Sequence, residues 1–272
     1  MSRIAATFER LQREKRKALI PFFTAGDPNP QSTVPVMHAL VAGGADVVEL
    51  GVPFSDPMAD GPVIQRSSER ALVHGVSLKN VIGYIAEFRK RDATTPVVLF
   101  GYANPVEALG VERFADAAKN AGADGVLIVD YPPEEAETIV RLLDERALDM
   151  IFLLSPTTTE KRLSEVASFG RGYLYYVSLK GVTGAANIDL DDVKTQLARI
   201  RKHTKLPLGV GFGIRDPETA RSIASIADAV VIGSRLIQEM ESAPSGGIEQ
   251  RVTAFMQGMR DAMDRDRERV PS

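Results

Sequence analysis

Short apolar runs rich in β-branched residues recur along the chain at 18–24, 47–50, 95–101, 125–129, 148–154, 172–178, 206–211 and 229–232. Runs that are apolar on both faces predict strands of a parallel sheet covered by helices. Between them, apolar positions return every three to four residues, at 106–121, 134–146, 159–169, 189–202 and 217–226, which predicts amphipathic helices. Ile4, Phe8 and Leu11 share one face of a leading helix over 2–16. An extra helix is predicted over 61–73, before the main one at 77–91, and a long final helix starts at Gly246. An alanine followed by an aspartate, in Gly44-Ala45-Asp46, Gly122-Ala123-Asp124 and Ile226-Ala227-Asp228, leads into three of the strands. Eight such units without a linker or composition break favour a single α/β domain, a closed (β/α)8 TIM barrel over residues 1–272, above an open doubly wound sheet. The charged residues 264–272 read as a frayed tail.

Composition narrows what such a barrel does. The 33 basic and 36 acidic side chains leave a net charge of −3, which gives no electrostatic reason for nucleic-acid or membrane binding. Cysteine is absent, which excludes disulfides and thiolate chemistry and fits a reducing cytoplasm. The histidines, His38, His74 and His203, fall in or beside predicted helices, which argues against a histidine metal site or a catalytic triad. No apolar run reaches the ~18–20 residues of a membrane span.

Active sites of these barrels lie at the carboxyl ends of the strands. The second strand ends in the stretch ELGVPFSDPMADGP, residues 49–62, where three prolines and two glycines end regular structure. It carries Glu49, Asp56 and Asp60. Glu49 lies among valines and leucines. It reads either as a structural acid hydrogen-bonded in the core or as a desolvated carboxyl poised for proton transfer. A metal site on Asp56 and Asp60 is disfavoured by Pro57 and the missing histidines. Phe22, Phe100, Leu127, Tyr175 and Phe212 stand at other strand ends and suit a flat, apolar substrate part. Gly211-Phe212-Gly213 and Ile232-Gly233-Ser234 follow strands seven and eight, where backbone N–H groups at a helix N-terminus commonly hold phosphate. Ser234 reads equally as an N-cap. Residues 178–187, with Gly181 and Gly184 as hinges, read as a lid or as a plain flexible connection.

Five stretches, PFFTAGDP at 21–28, the segment 49–62, GYANP at 101–105, GVTG at 181–184 and GFGI at 211–214, resemble the tryptophan synthase α subunits in order and across nearly the whole chain. The resemblance implies a lyase of tryptophan biosynthesis that cleaves indole-3-glycerol phosphate to indole and glyceraldehyde 3-phosphate. It implies Glu49 as general acid/base, Asp60 as the carboxylate on the indole N–H, and Tyr175 beside the ring. Gly184, Gly213, Gly233 and Ser234 are then the phosphate cradle and Thr183 part of the lid. Pro53 and Asp56, in an exposed segment 53–57, sense a β subunit in an α2β2 heterotetramer. No cofactor or metal is expected on this chain; pyridoxal phosphate belongs to the β partner. The alternatives are a stand-alone lyase and a non-catalytic activator of a β-type partner. Phe100 and Tyr131 stand where many members carry an aliphatic residue, so Phe100 is expected to narrow the indole pocket.

Overall fold

The computed structural model describes residues 2–178, 189–211, 213–244 and 246–265. Eight parallel strands close into a barrel in chain order, with the eighth paired to the first. They are β1 (Ala18–Thr24), β2 (Val48–Gly51), β3 (Val97–Gly101), β4 (Gly125–Ile128), β5 (Asp149–Leu154), β6 (Leu174–Val177), β7 (Leu208–Gly211) and β8 (Ala229–Ile232). The helices are α1 (Arg3–Arg13), α2 (Thr33–Ala42), α3 (Pro62–Val73), α4 (Leu78–Arg89), α5 (Ala103–Leu109), α6 (Val111–Ala121), α7 (Glu137–Asp144), α8 (Glu160–Phe169), α9 (Leu190–Ile200), α10 (Pro217–Ala224), α11 (Ser234–Glu241) and α12 (Ile248–Asp264). The leading helix and the extra helix after the second strand are thus both present, as α1 and α3.

Several boundaries differ from expectation, each for a local reason. β3 and β7 begin at Val97 and Leu208 rather than at 95 and 206, because Pro96 and Pro207 have no N–H to enter the ladder. Gly172, at φ +69°, turns the chain ahead of β6. The helix expected over 106–121 is two helices, since Gly110 at φ +89° separates α5 from α6. The one expected over 134–146 is a single 3-10 turn, Pro133–Glu135, followed by α7. The tail helix continues to Asp264, and 266–272 lie outside the described residues.

α1 closes the amino-terminal mouth of the barrel. Its buried Ile4, Phe8 and Leu11 pack with the interior residues Ile20, Val98, Leu127, Ile151 and Tyr173. Ser2 caps the helix, accepting from the Ala5 N–H at 3.2 Å, and its hydroxyl donates to Asp149 Oδ2 at 2.6 Å. The recurring aspartates serve this same end. Asp46 accepts from the Leu19 N–H (3.0 Å), Asp124 from Val97 (2.8 Å) and Asp228 from Leu208 (2.9 Å). Each aspartate N–H also donates to the carbonyl of that same residue, at 2.9 Å in all three. A two-way clasp therefore ties each aspartate to the start of a preceding strand, and arginines neutralise it. Arg3 and Arg89 both reach Asp124 at 2.7 Å, and Arg260 reaches Asp46 at 3.0 Å.

Asp124 is 4% exposed and accepts from Arg3, Arg89 and the Val97 N–H. Asp124→Ala should cost ~3–5 kcal/mol, because it leaves Arg89 half-buried without its partner and the Val97 N–H unpaired. Urea unfolding measures this, and the folded fraction should keep the ligand affinity of the parent because the change lies at the opposite end from the strand carboxyl termini.

Candidate active site

β2 carries Glu49 into the barrel, in register with Phe22 on one side and Val98 on the other. The side chain is completely buried. The Tyr173 hydroxyl donates to Oε1 at 2.5 Å, and Oε2 has no partner among the described residues. Burial disfavours the charged form, and the single donor offsets only part of that, so the Glu49 pKa is pushed up to about 8. Tyr173 is itself fixed from below, its ring 5.8 Å from that of Phe8 on the α1 plug. At neutral pH Glu49 is a protonated acid whose Oε2 makes no hydrogen bond among the described residues.

Asp60 stands on the irregular segment between β2 and α3, half-buried. Tyr102, directly after β3, donates to Asp60 Oδ2 at 2.9 Å, and Gln65 Nε2 donates to the Asp60 carbonyl at 2.9 Å. Burial raises its pKa to about 6 against the lowering effect of Tyr102. The two carboxyl groups thus ionise in different ranges, the pattern that separates an acid from an anion within one site. Tyr175 on β6 feels the charge of both, which places its ring in the same interior.

The apolar residues expected at the mouth converge as well. The Phe22 and Phe100 rings meet edge to face at 4.8 Å, and Leu127 is buried in the interior cluster with Phe100 and Tyr175 beside it. A Cβ on Gly211 would lie 2.1 Å from the Tyr175 hydroxyl, so only glycine permits that ring where it is. Gly213, at φ +75°, turns the chain out of β7. At the end of β8, Gly233 is the N-cap of α11 and Ser234 its first residue, so the cap role expected for Ser234 falls to Gly233. With β8 ending at Ile232, one residue makes the connection and must itself be the cap. Thr183, Gly184 and Phe212 lie outside the described residues, as does most of the expected lid.

In the 53–57 segment, Asp56 is exposed and accepts from the Ser55 hydroxyl at 2.5 Å. Pro53 is buried, contrary to the expected exposure of the whole segment, because Val52 is still tied to the sheet by its N–H on the Phe100 carbonyl at 2.8 Å. Tyr173 and Tyr102 are the residues that sequence reasoning missed. Tyr173 lies two positions from Tyr175, and strand alternation puts both on the interior face. Tyr102 stood within the 101–105 stretch with no role attached.

A family model described as tryptophan synthase alpha chain matches residues 8–264. The tryptophan synthase alpha chain of Janthinobacterium sp. (strain Marseille) is 61% identical over 264 residues, covering 97% of this chain and 100% of that relative. The alpha chain of Herminiimonas arsenicoxydans is 61% identical with the same coverage. Among solved structures, tryptophan synthase subunit alpha from Legionella pneumophila str. Paris superposes with a TM-score of 0.92 at 46% identity, covering 97% of this chain and 99% of that one. A chain of tryptophan synthase from M. tuberculosis in its aminoacrylate-bound form gives 0.87 at 31% identity, covering 97% and 100%.

The Glu49 environment has a measurable consequence for stability. Its folded pKa, about 8, is above the ordinary value of 4.5, so between those pH values the folded state holds a proton that the unfolded state releases. Stability contributed by this group is present below pH 4.5 and is lost as pH rises through 8. Glu49→Gln removes that loss, so its melting temperature should exceed that of the parent, and by more at pH 8 than at pH 5. A Glu49→Gln protein less stable than the parent at both pH values would instead mark Glu49 as a structural hydrogen-bonding group.

Proposed function

The chain belongs to the tryptophan synthase alpha chain family, and we propose that Glu49 and Asp60 are the two groups that carry its reaction. That reaction is the lyase cleavage of indole-3-glycerol phosphate to indole and glyceraldehyde 3-phosphate. The observation that carries the assignment is Glu49 itself, a neutral acid on a barrel strand whose Oε2 has no hydrogen-bond partner among the described residues.

The chemistry follows from these two environments. The bond from indole C3 to the glycerol carbon breaks once C3 is protonated, because its electrons then have an iminium to flow into. Glu49 in its protonated form supplies that proton. Positive charge accumulates on the ring nitrogen as it does so, and anionic Asp60 at the N–H stabilises it. The Glu49 carboxylate then takes the proton from the glycerol hydroxyl as the aldehyde forms, which returns it to its starting state. Phe22, Phe100, Leu127, Tyr175 and Phe212 would hold the flat ring, with the Phe22–Phe100 edge contact narrowing its slot. Gly184, Gly213, Gly233 and Ser234 would hold the phosphate with Thr183 in the lid, and that grip acts by positioning the reacting carbon. Each proton and charge is thereby accounted for without a cofactor or metal on this chain.

The family implies a β-subunit partner. In our reading the assembly is an α2β2 heterotetramer with pyridoxal phosphate on the β subunit, and Asp56 and Pro53 belong to the segment that meets it. Asp56 supports this by its exposure, as does Met58, which is 86% exposed. Buried Pro53 would shape the segment from beneath. A cytoplasmic setting fits a chain without cysteine. Among the described residues no helix is long and apolar enough to cross a membrane. Indole release measured on the chain alone and with a β subunit separates this reading from a stand-alone lyase, which would gain nothing from the partner, and from a non-catalytic activator, which would release none.

The two ionisations set the pH dependence. Asp60 must be charged and Glu49 protonated, so kcat/KM should form a bell with limbs near pH 6 and pH 8. Glu49→Gln should lower kcat at or above the ~10⁴-fold top of the general acid–base range. Asp60→Asn should lose less and should lack the acid limb. Steady-state indole release across pH checks all three, and a folded Glu49→Gln protein with near-normal turnover would falsify the assignment.

A further inference from the structure

Tyr102 is the one aromatic residue of the 101–105 stretch, and its hydroxyl works in two directions. It accepts from the Ala59 N–H at 3.2 Å and donates to Asp60 Oδ2 at 2.9 Å. The ring is nearly buried and lies stacked on Phe54, with centroids 5.1 Å apart. A rigid strand end therefore reaches across to two consecutive residues of an irregular segment whose Ser55, Asp56, Met58 and Ala59 are all exposed. Because the phenolic oxygen uses a lone pair on Ala59, its proton is left directed at the carboxylate, and the hydroxyl has one orientation rather than several.

We propose that Tyr102 is a positioning residue for the cleavage reaction: its hydroxyl, oriented by the Ala59 N–H, occupies Asp60 Oδ2 and thereby presents Oδ1 to the indole N–H. This rests on the reading of Asp60 as the anion at the ring nitrogen. Oδ1 accepts no hydrogen bond from the described residues, since the Tyr102 hydroxyl takes only Oδ2. Stabilisation of the developing iminium requires the carboxylate oxygen at hydrogen-bond distance and in line. A loop carboxylate without the tie would sample other rotamers, and misplacement by ~1 Å costs on the order of 10²-fold. The donor also favours the charged form of Asp60 against its burial. Among the described residues, the charge of Asp130 reaches Tyr102, and that of Asp60 reaches Tyr175 on β6. Burial and the charges of Asp60 and Asp130 push the Tyr102 pKa upward, so it remains a donor throughout the working range.

The test compares Tyr102→Phe, Asp60→Asn and the double variant by kcat, KM, pH profile and melting temperature. Tyr102→Phe keeps the ring on Phe54 and removes only the hydroxyl. It should lower kcat roughly 10–100-fold, the range for a lost hydrogen bond to a charged group, and leave KM within a few-fold. The acid limb should move to higher pH, the melting temperature should hold within a few degrees, and the hydroxyl should cost little further in the Asp60→Asn background. Normal turnover and an unmoved acid limb in Tyr102→Phe, beside an impaired Asp60→Asn, would overturn the role of Tyr102 and leave that of Asp60 standing. A full-sized loss in the Asp60→Asn background, or a loss that only tracks a lowered melting temperature, would make Tyr102 a structural residue. An active Asp60→Asn would remove the underlying reading and this one with it.

Discussion

A carboxyl group inside an apolar barrel is held in its neutral form only while water is kept from it, and the arrangement around Glu49 depends on that exclusion. Its pKa rises because burial outweighs one tyrosine donor. The seal is at the far end. Ile4, Phe8 and Leu11 of α1 fill the amino-terminal mouth, and the Phe8 ring bears on Tyr173, which in turn holds Glu49. A helix with no residue near the carboxyl ends of the strands thus sets the chemistry of a residue that belongs to them. The spacing of three apolar side chains near the N-terminus, the packing of the plug and the proton on Glu49 are successive links of one chain of cause.

The ends of the barrel divide stability and chemistry between them, as the fold generally does. At the closed end, Asp46, Asp124 and Asp228 clasp strand starts through side chain and backbone together, with arginine counter-charges. Each of these carboxylates takes a backbone N–H and at least one arginine. At the open end, Glu49 and Asp60 each receive one tyrosine donor and no arginine among the described residues. The residue type is shared and the partners differ: backbone N–H and arginine at the closed end, a single tyrosine hydroxyl at the open end.

Much of this was legible in the sequence because it is local. Strand existence follows from apolar runs, and Gly213 and Gly233 follow the ends of β7 and β8 where the motif spacing placed them. Glu49 stood out as an acid in an apolar run. The missed features are of two kinds. Strand starts were misplaced where a proline lacked the N–H that a ladder needs, at Pro96 and Pro207, and one helix was divided at Gly110, where periodicity continues through a backbone that does not. The tyrosine partners were hidden for a different reason. Tyr173 is 124 residues from Glu49, and Tyr102 is 42 from Asp60. Nothing in either neighbourhood reports a contact made only when the barrel closes. The recurring aspartates show the intermediate case: their repetition was visible, and their work as clasps was not.

The difference between the two open-end carboxyls is the last consequence of this geometry. Both take one phenolic hydroxyl, so the donor alone does not separate them. Burial does, since Glu49 is wholly enclosed and Asp60 stands half-buried on an irregular segment, and their pKa values lie near 8 and 6 accordingly. In the proposed reaction Glu49 acts in its neutral form, and a strand holds it where solvent is excluded. In the same proposal Asp60 acts charged, and an irregular segment holds it where some solvation remains, at the expense of a position that the segment by itself does not fix. Each location therefore creates its own need. The deep acid needs a seal, which α1 supplies, and the loop anion needs a tether to the rigid sheet, which the end of β3 supplies through a single hydroxyl.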